Sequence, residues 1–325
     1  MRTLTAMPHS ILFLCNPAMK SLALLDALPD EVNLTVTLDA ATIATKVPEA
    51  DVLVLNTDDQ ELIRLAVTEG KRVQWIHSLM AGVEKKLVPE IRDVVAPFTN
   101  ARGVYAESLG EFVLAACLYF AKDFRRMRRQ QAEHRWEQFE VNMIAGKTMV
   151  ILGYGEIGRA CAKRASAMGM RVLGIRRRPE YSYGDPYVER VVAFDKRAAV
   201  IPEADYLVLA APNTPETKGL VGAAEIAGMK RTSVLINVGR GPVVEEAALV
   251  QALAEEQILG AALDVFDEEP LPAGHAFYGL DNVLLSPHCS DMTPGWLDDS
   301  VRFFLKNYQR FRAGAQLENV VNKEL

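Results

Sequence analysis

Between Val150 and Gly158 the chain reads VILGYGEIG, a short apolar run with glycines at 153, 155 and 158, and the helix-like stretch IGRACAKRASAMG follows. A strand, a tight turn and a helix in that order can hold a dinucleotide pyrophosphate. Gly153 permits the turn, Gly155 lets the backbone approach the phosphates without a Cβ in the way, and Gly158 lets the helix pack close on the strand. The helix N-terminus then offers unpaired N–H groups to the anion. Tyr154, Glu156 and Ile157, between the glycines, complete this candidate cofactor site.

A site built for NAD places an acidic residue at the end of the following strand, against the ribose hydroxyls. Here that strand, RVLGIR, runs into Arg176, Arg177 and Arg178. A carboxylate repels a 2′-phosphate, whereas guanidinium forks bind one through charge-assisted hydrogen bonds, so the run predicts NADP(H). Without its position, the same run would read as a solvated basic loop.

Three later segments carry side chains suited to one reaction: NVGRGPVV with Arg240, DVFDEEPLP with Glu269, and LSPHCSDMTP with His288. Each follows a strand-like run, and open parallel sheets bind ligands beyond the carboxyl ends of their strands, so the three are expected to converge near the nicotinamide. Reduction of a 2-oxo acid requires such a set. Arg clamps the carboxylate and polarises the carbonyl, His donates a proton as hydride arrives, and the acid orients the imidazole and favours its protonated form. Taken singly, each has a structural reading: Arg240 between two glycines can cap a strand end, Glu269 lies in an acid-rich stretch, and His288 is one of 5 histidines. Of the others, His9 and His134 read as exposed, His275 as a loop residue and His77 as a satisfied strand residue.

The elements that must position these groups alternate in two blocks. The first has strand-like runs at 10–15, 32–38, 51–57 and 73–78, with helical patterns at 19–28 and 60–69. The second begins at MVILG and continues through runs at 171–176, 206–211, 233–239, 260–266 and 282–286. Apolar runs separated by helices imply parallel sheets covered on both faces. The fold expected is α/β, with two doubly wound parallel-sheet domains. Residues 107–135 read as a long crossover helix leading into a basic arm that packs on a partner subunit.

Composition agrees with a two-domain enzyme. The chain has 325 residues, half of them apolar, and a net charge of −6 with no long basic segment, which argues against nucleic acid. The apolar stretch at 112–121 is too short to span a membrane, and the N-terminus lacks the apolar core of a signal peptide, so a cytoplasmic protein is expected. The 4 cysteines are scattered without CxxC pairing, which argues against a metal site or a disulfide framework.

With these motifs in this order, and with SLMAGVE at 78–84, NARGVYAESLGEFVLA, APNTPETKGL and NVLLSPH, the chain resembles the D-isomer-specific 2-hydroxyacid dehydrogenases, which include glyoxylate/hydroxypyruvate reductases and phosphoglycerate dehydrogenases. The resemblance covers nearly the whole chain. It implies a flavodoxin-like substrate domain (residues 1–106 plus 292–325) and a Rossmann dinucleotide-binding domain with a helical arm (107–291). It implies a triad of Arg240, Glu269 and His288, Asp264 on the nicotinamide carboxamide, and Pro212, Thr217 and Val238 lining the cofactor, with Ala211 and Ser290 beside them. Backbone amides of Leu79, Met80 and Ala81 would receive the substrate carboxylate, with Arg240 and His288 also on the substrate, and a cleft would close over it. Homodimers are usual in the family.

Two departures stand out. Cys289, Ser290, Asp291 and Met292 replace a small-residue pattern after the histidine, so Asp291 adds charge beside it. Leu79 and Met80 replace smaller residues, which predicts a more apolar pocket wall and makes a bulky 2-oxo acid as plausible as glyoxylate. The activity expected is reduction of a 2-oxo acid by NADPH to an (R)-2-hydroxy acid. A non-catalytic NAD(P)-sensing protein of corepressor type is the alternative, disfavoured by the lack of a long partner-binding extension.

Overall fold

The computed structural model describes residues 9–324, so most of the N-terminal stretch read for a leader lies outside the described residues. The chain forms two compact units. One runs up to Val104 and resumes at Pro294; the other spans Tyr105–Thr293.

In the first unit, β1 (Ser10–Leu14), β2 (Asn33–Thr37), β3 (Val52–Leu55), β4 (Trp75–Ser78) and β5 (Phe98–Asn100) form a parallel sheet in the order β2-β1-β3-β4-β5, the flavodoxin-like arrangement. Every residue of β3 (VLVL) and β4 (WIHS) is buried, as in parallel strands covered on both faces. The helix Gln60–Glu69 starts where Asp59 accepts hydrogen bonds from the amides of Glu61 and Leu62, and its buried face is Ile63, Ala66 and Val67. Residues Lys20–Ala27 wind as a 3-10 helix within the segment read as helical.

The last helix, Trp296–Arg312, belongs to this unit and supplies part of its core. Phe304 stacks on Trp75 with ring centroids 5.4 Å apart and meets Phe13 edge-on at 5.8 Å. All three rings are fully buried. Trp75 Nε1 donates to the Thr99 hydroxyl at 2.8 Å, and that hydroxyl contacts His77 Nδ1 at 2.7 Å. His77 is thus a strand residue as expected but not a fully satisfied one, because its buried Nε2 has no hydrogen-bond partner among the described residues, and burial pushes the imidazole down to about 3, leaving it neutral.

The second unit holds β6 (Thr148–Leu152), β7 (Arg171–Ile175), β8 (Arg190–Val192), β9 (Tyr206–Leu209), β10 (Val234–Asn237), β11 (Gly260–Leu263) and β12 (Val283–Leu285). Their order is β12-β11-β10-β9-β6-β7-β8, parallel throughout. The chain winds outward from β6 first one way and then the other, so the strand order reverses between β6 and β9, as in Rossmann folds.

Three details differ from the sequence reading. Strands β5 and β8 were not expected, because three residues are too few to show an alternation. The long helix read at 107–135 is two helices, Ala106–Ala121 and Phe124–Ala132. Asp123 breaks it: its backbone is left-handed (φ 50°), and its side chain caps the second helix by accepting from the Arg126 amide at 3.2 Å. The segment after it carries exposed apolar side chains, Trp136 at 97 % exposure among them.

Phe304→Ala removes the ring that joins the last helix to β1 and β4. It is expected to lower the unfolding free energy of the first unit by about 3–5 kcal/mol, read as a shift of the denaturant midpoint.

Candidate active site

The chemistry-bearing segments of the second unit all begin where a strand ends at its carboxyl edge: Gly153 after β6, Ala211 after β9, Val238 after β10, Asp264 after β11 and Ser286 after β12. These five strands are consecutive neighbours in the sheet. The topology therefore gathers into one row residues that lie far apart in sequence.

At β6 the three glycines do what their spacing implied. Gly153 has φ +96°, and a Cβ there would stand 2.5 Å from the backbone of Ala210 and Ala211. A Cβ on Gly158 would meet the Gly153 carbonyl oxygen at 2.7 Å, so helix and strand touch through it. Around Gly155 a Cβ would meet nothing within 4 Å. That open cradle lies at the N-terminus of the helix Glu156–Ala167, which no side chain caps, leaving the first-turn amides of Glu156 and Ile157 to face an anion. The residues present fit a dinucleotide pyrophosphate. Tyr154 contributes otherwise than expected: its amide donates to the Ile175 carbonyl, and its buried ring lies against Gly174, where a Cβ would come within 3.0 Å. It braces β7.

Arg176 follows β7 directly. Its Nη1 donates to the Ser182 hydroxyl at 2.5 Å, and Arg178 Nη1 donates to the Tyr181 hydroxyl at 3.2 Å. Both guanidinium carbons lie over the Tyr181 ring, at 5.7 and 5.8 Å from its centroid. Tyr181 and Ser182 were missed by the sequence reading, although they lie within six residues of the run they hold. Among the described residues no carboxylate lies within ion-pair distance of Arg176, Arg177 or Arg178.

His288 Nδ1 contacts Glu269 Oε2 at 2.7 Å, and Glu269 Oε1 accepts from the Phe266 amide at 3.0 Å. The carboxylate is thus anchored at one oxygen and orients the imidazole with the other, leaving Nε2 for proton exchange. The imidazole is 43 % exposed, so it can recover a proton from water. Arg240 is set by Asn237, whose Nδ2 donates to the Arg240 carbonyl at 3.0 Å and whose Oδ1 accepts from the Gly239 amide at 3.1 Å. Gly241 lets this turn lie against the glutamate loop, because a Cβ there would be 2.0 Å from the Phe266 carbonyl carbon. Asn237 also went unread, though it closes the strand before the arginine.

Asp264 differs from expectation. It is 1 % exposed, and its Oδ1 accepts from the Ser286 hydroxyl (2.5 Å) and the amides of Cys289 and Ser290 (3.1 Å each), while Oδ2 accepts from the Ser290 hydroxyl (2.5 Å). A carboxylate offers about four acceptor positions. These are nearly filled, so Asp264 grips the histidine loop and keeps at most one position for a carboxamide. Ser290 belongs to the same grip. Thr217 is likewise a brace, because its buried hydroxyl donates to the Pro212 carbonyl at 2.5 Å and accepts from the Thr214 amide at 2.8 Å. Ala211 and Val238 are buried beside their strand ends, and Pro212 is exposed at the end of β9. Burial holds the Asp291 carboxyl above its ordinary range; His288 and Arg240 oppose this, while Asp264 adds to it.

In the first unit, Leu79, Met80 and Ala81 follow the carboxyl end of β4. The Leu79 amide donates to the Leu55 carbonyl at 3.1 Å, and its side chain lies in the core with Ile11, Phe13 and Trp75. It neither presents a donor nor lines a pocket. The expectation of a more apolar wall therefore fails at Leu79 and rests on half-buried Met80 alone.

Residues 114–290 match the family model described as D-isomer specific 2-hydroxyacid dehydrogenase, NAD binding domain. Glyoxylate reductase of Aeropyrum pernix is 32 % identical over 303 residues, covering 87 % of this chain and 86 % of that protein. D-3-phosphoglycerate dehydrogenase of Methanocaldococcus jannaschii is 29 % identical over 301 residues; these are 90 % of this chain, which spans only about half (55 %) of that relative. The crystal structure of an NADPH-dependent glyoxylate/hydroxypyruvate reductase from Sinorhizobium meliloti in complex with NADP and sulfate superposes with a TM-score of 0.83 at 26 % identity, covering 98 % of this chain and 99 % of that one.

The backbone contact at Gly241 gives a test. Gly241→Ala forces the arginine and glutamate loops apart and is expected to lower kcat/KM by about 100-fold, the order reported for ångström-scale misplacement. Gly274→Ala, where a Cβ meets nothing within 4 Å, leaves initial rates unchanged.

Proposed function

We propose, from the premise that this chain belongs to the D-isomer specific 2-hydroxyacid dehydrogenase family, that it reduces a 2-oxo acid to the (R)-2-hydroxy acid with NADPH. The observation that carries this reading is the His288–Glu269 contact at 2.7 Å, with Arg240 also on a loop beyond the carboxyl end of a neighbouring strand. When bound, the nicotinamide supplies hydride. Gly155 and the amides of Glu156 and Ile157 take the pyrophosphate, and Arg176 and Arg178, spread over Tyr181, take the 2′-phosphate, with exposed Arg177 beside them.

Arg240 holds the substrate carboxylate and polarises the keto oxygen. His288, with Nδ1–H on Glu269, presents Nε2–H to that oxygen and yields its proton as negative charge develops there. Glu269 stays ionised and balances the imidazolium before transfer. One hydride to the keto carbon and one proton to its oxygen convert the 2-oxo acid into the 2-hydroxy acid, and His288 is reprotonated from water. In the oxidative direction the neutral imidazole is the base.

The substrate class follows from Asp291. Three residues after His288, its carboxylate opposes a second negative group on the substrate, so the reading favours glyoxylate, hydroxypyruvate or a larger uncharged 2-oxo acid over a phosphorylated one. We extend the proposal to a homodimer, supported by the exposed Trp136, Val141 and Met143 on the segment after the second helix.

Initial rates of NADPH and NADH oxidation across glyoxylate, hydroxypyruvate, pyruvate, phenylpyruvate and branched 2-oxo acids test the function. Turnover with a clear NADPH preference is expected, and Arg178→Ala raises the KM for NADPH about tenfold while leaving that for NADH unchanged. Equal use of the two cofactors removes the role given to the arginines, and no turnover with any acid removes the enzyme. Separately, Asp291→Ser is expected to raise kcat/KM for oxaloacetate relative to pyruvate about fivefold. An unchanged ratio places Asp291 away from the substrate tail.

A further inference from the structure

The loop that carries Glu269 is not held by burial. Phe266 is buried at its start and Phe277 beyond its end, but Asp267, Glu268, Glu269 and Pro270 are all exposed. A side chain on such a stretch keeps its aim only if polar contacts fix the main chain beneath it. One carboxylate supplies them on both arms. Glu246 Oε2 accepts from the Asp267 amide at 3.4 Å, two residues before Glu269, and Glu246 Oε1 contacts His275 Nε2 at 3.1 Å, six residues after it. The Phe277 amide donates to His275 Nδ1 at 3.2 Å, so the proton of the neutral ring sits on Nε2 and is directed at Glu246. His275 is itself seated, with its ring centroid 4.7 Å from that of Phe277. Glu246 opens the helix Glu246–Ala254, six residues after Arg240, so it joins the segment that follows the arginine to the loop of Glu269.

We infer that Glu246 is a positioning residue for the Glu269–His288 pair: through the Asp267 amide and His275 it pins both arms of the Glu269 loop and so keeps the Glu269 carboxylate on the imidazole. The inference rests on the 2-oxo acid reading above, in which reduction consumes the proton of the imidazolium. Glu246 acts through the loop it holds, not on the substrate. Its tie is to the main chain of Asp267, because the two carboxyls repel: burial raises the Asp267 carboxyl above its ordinary range, Glu246 adds to this and Lys218 opposes it.

The test follows kcat across pH with the 2-oxo acid that the whole protein reduces best, in Glu246→Ala and Glu246→Gln, each made both alone and together with Glu269→Gln. Glu246→Ala is expected to lower kcat about tenfold with the KM for NADPH little changed. It also moves the alkaline limb of the profile to lower pH, because a displaced Glu269 no longer favours the imidazolium. Asp264 and Asp291 are untouched by the substitution, so the limb reports Glu269. Glu246→Gln can keep only one of the two ties, since its amide nitrogen accepts nothing, and loses part of the rate; His275→Ala does the same. Combined with Glu269→Gln, neither Glu246 change lowers kcat further, because the two residues act as one unit. Equal losses with and without Glu269→Gln, or an alkaline limb that stays put in Glu246→Ala, overturn the inference while leaving the functional reading standing. A parent protein that reduces no 2-oxo acid overturns both.

Discussion

The His288–Glu269 pair depends on a carboxylate that touches neither member of it. Asp264 is buried under the loop that follows β12, and a buried charge persists only if hydrogen bonds replace its water. The Ser286 hydroxyl, the amides of Cys289 and Ser290 and the Ser290 hydroxyl provide them. Those bonds bracket His288, whose backbone is left-handed at φ 50°, a conformation that costs a non-glycine residue about 1 kcal/mol. The grip offsets that strain, and the strained backbone brings Nδ1 onto Glu269. Strand register makes this possible: Leu263 pairs with Leu285, so Asp264 and Ser286 emerge side by side.

Close backbone contacts do the rest of the positioning. Gly153 and Gly239 both approach the Ala210–Ala211 backbone, one from the cofactor turn and one from the arginine turn, while Gly241 packs on Phe266. Side chains at these positions would push apart loops whose functional groups must share one small space. The glycines in GYGEIG and VGRGP therefore tie the turn after β6 and the loops of Arg240 and Glu269 to the same short stretches of main chain.

What could be read from the sequence was whatever lay within one short segment: the glycine turn, the arginines after β7, and the positions of Arg240, Glu269 and His288, each on the loop after its own strand. Both sheets were legible because buried parallel strands are nearly continuous apolar runs. The roles of Asp264 and Thr217 were not, since their hydrogen-bond partners are fixed by register and loop closure rather than by sequence neighbours. Leu79 was misassigned for the same reason, because pairing with β3 decides where its amide points. Asp123 splits a helix through one backbone conformation in a stretch that otherwise favours continuous helix.

The last helix has a consequence for how the protein comes off the ribosome. The first unit cannot close its core around Trp75 and Phe13 until Phe304 has been synthesised, by which time every residue of the second unit has been made. The N-terminal sheet therefore waits, with part of its aromatic face uncovered, through the translation of some two hundred residues. The earlier-encoded sheet thus completes its core only with a helix made after the whole of the second unit.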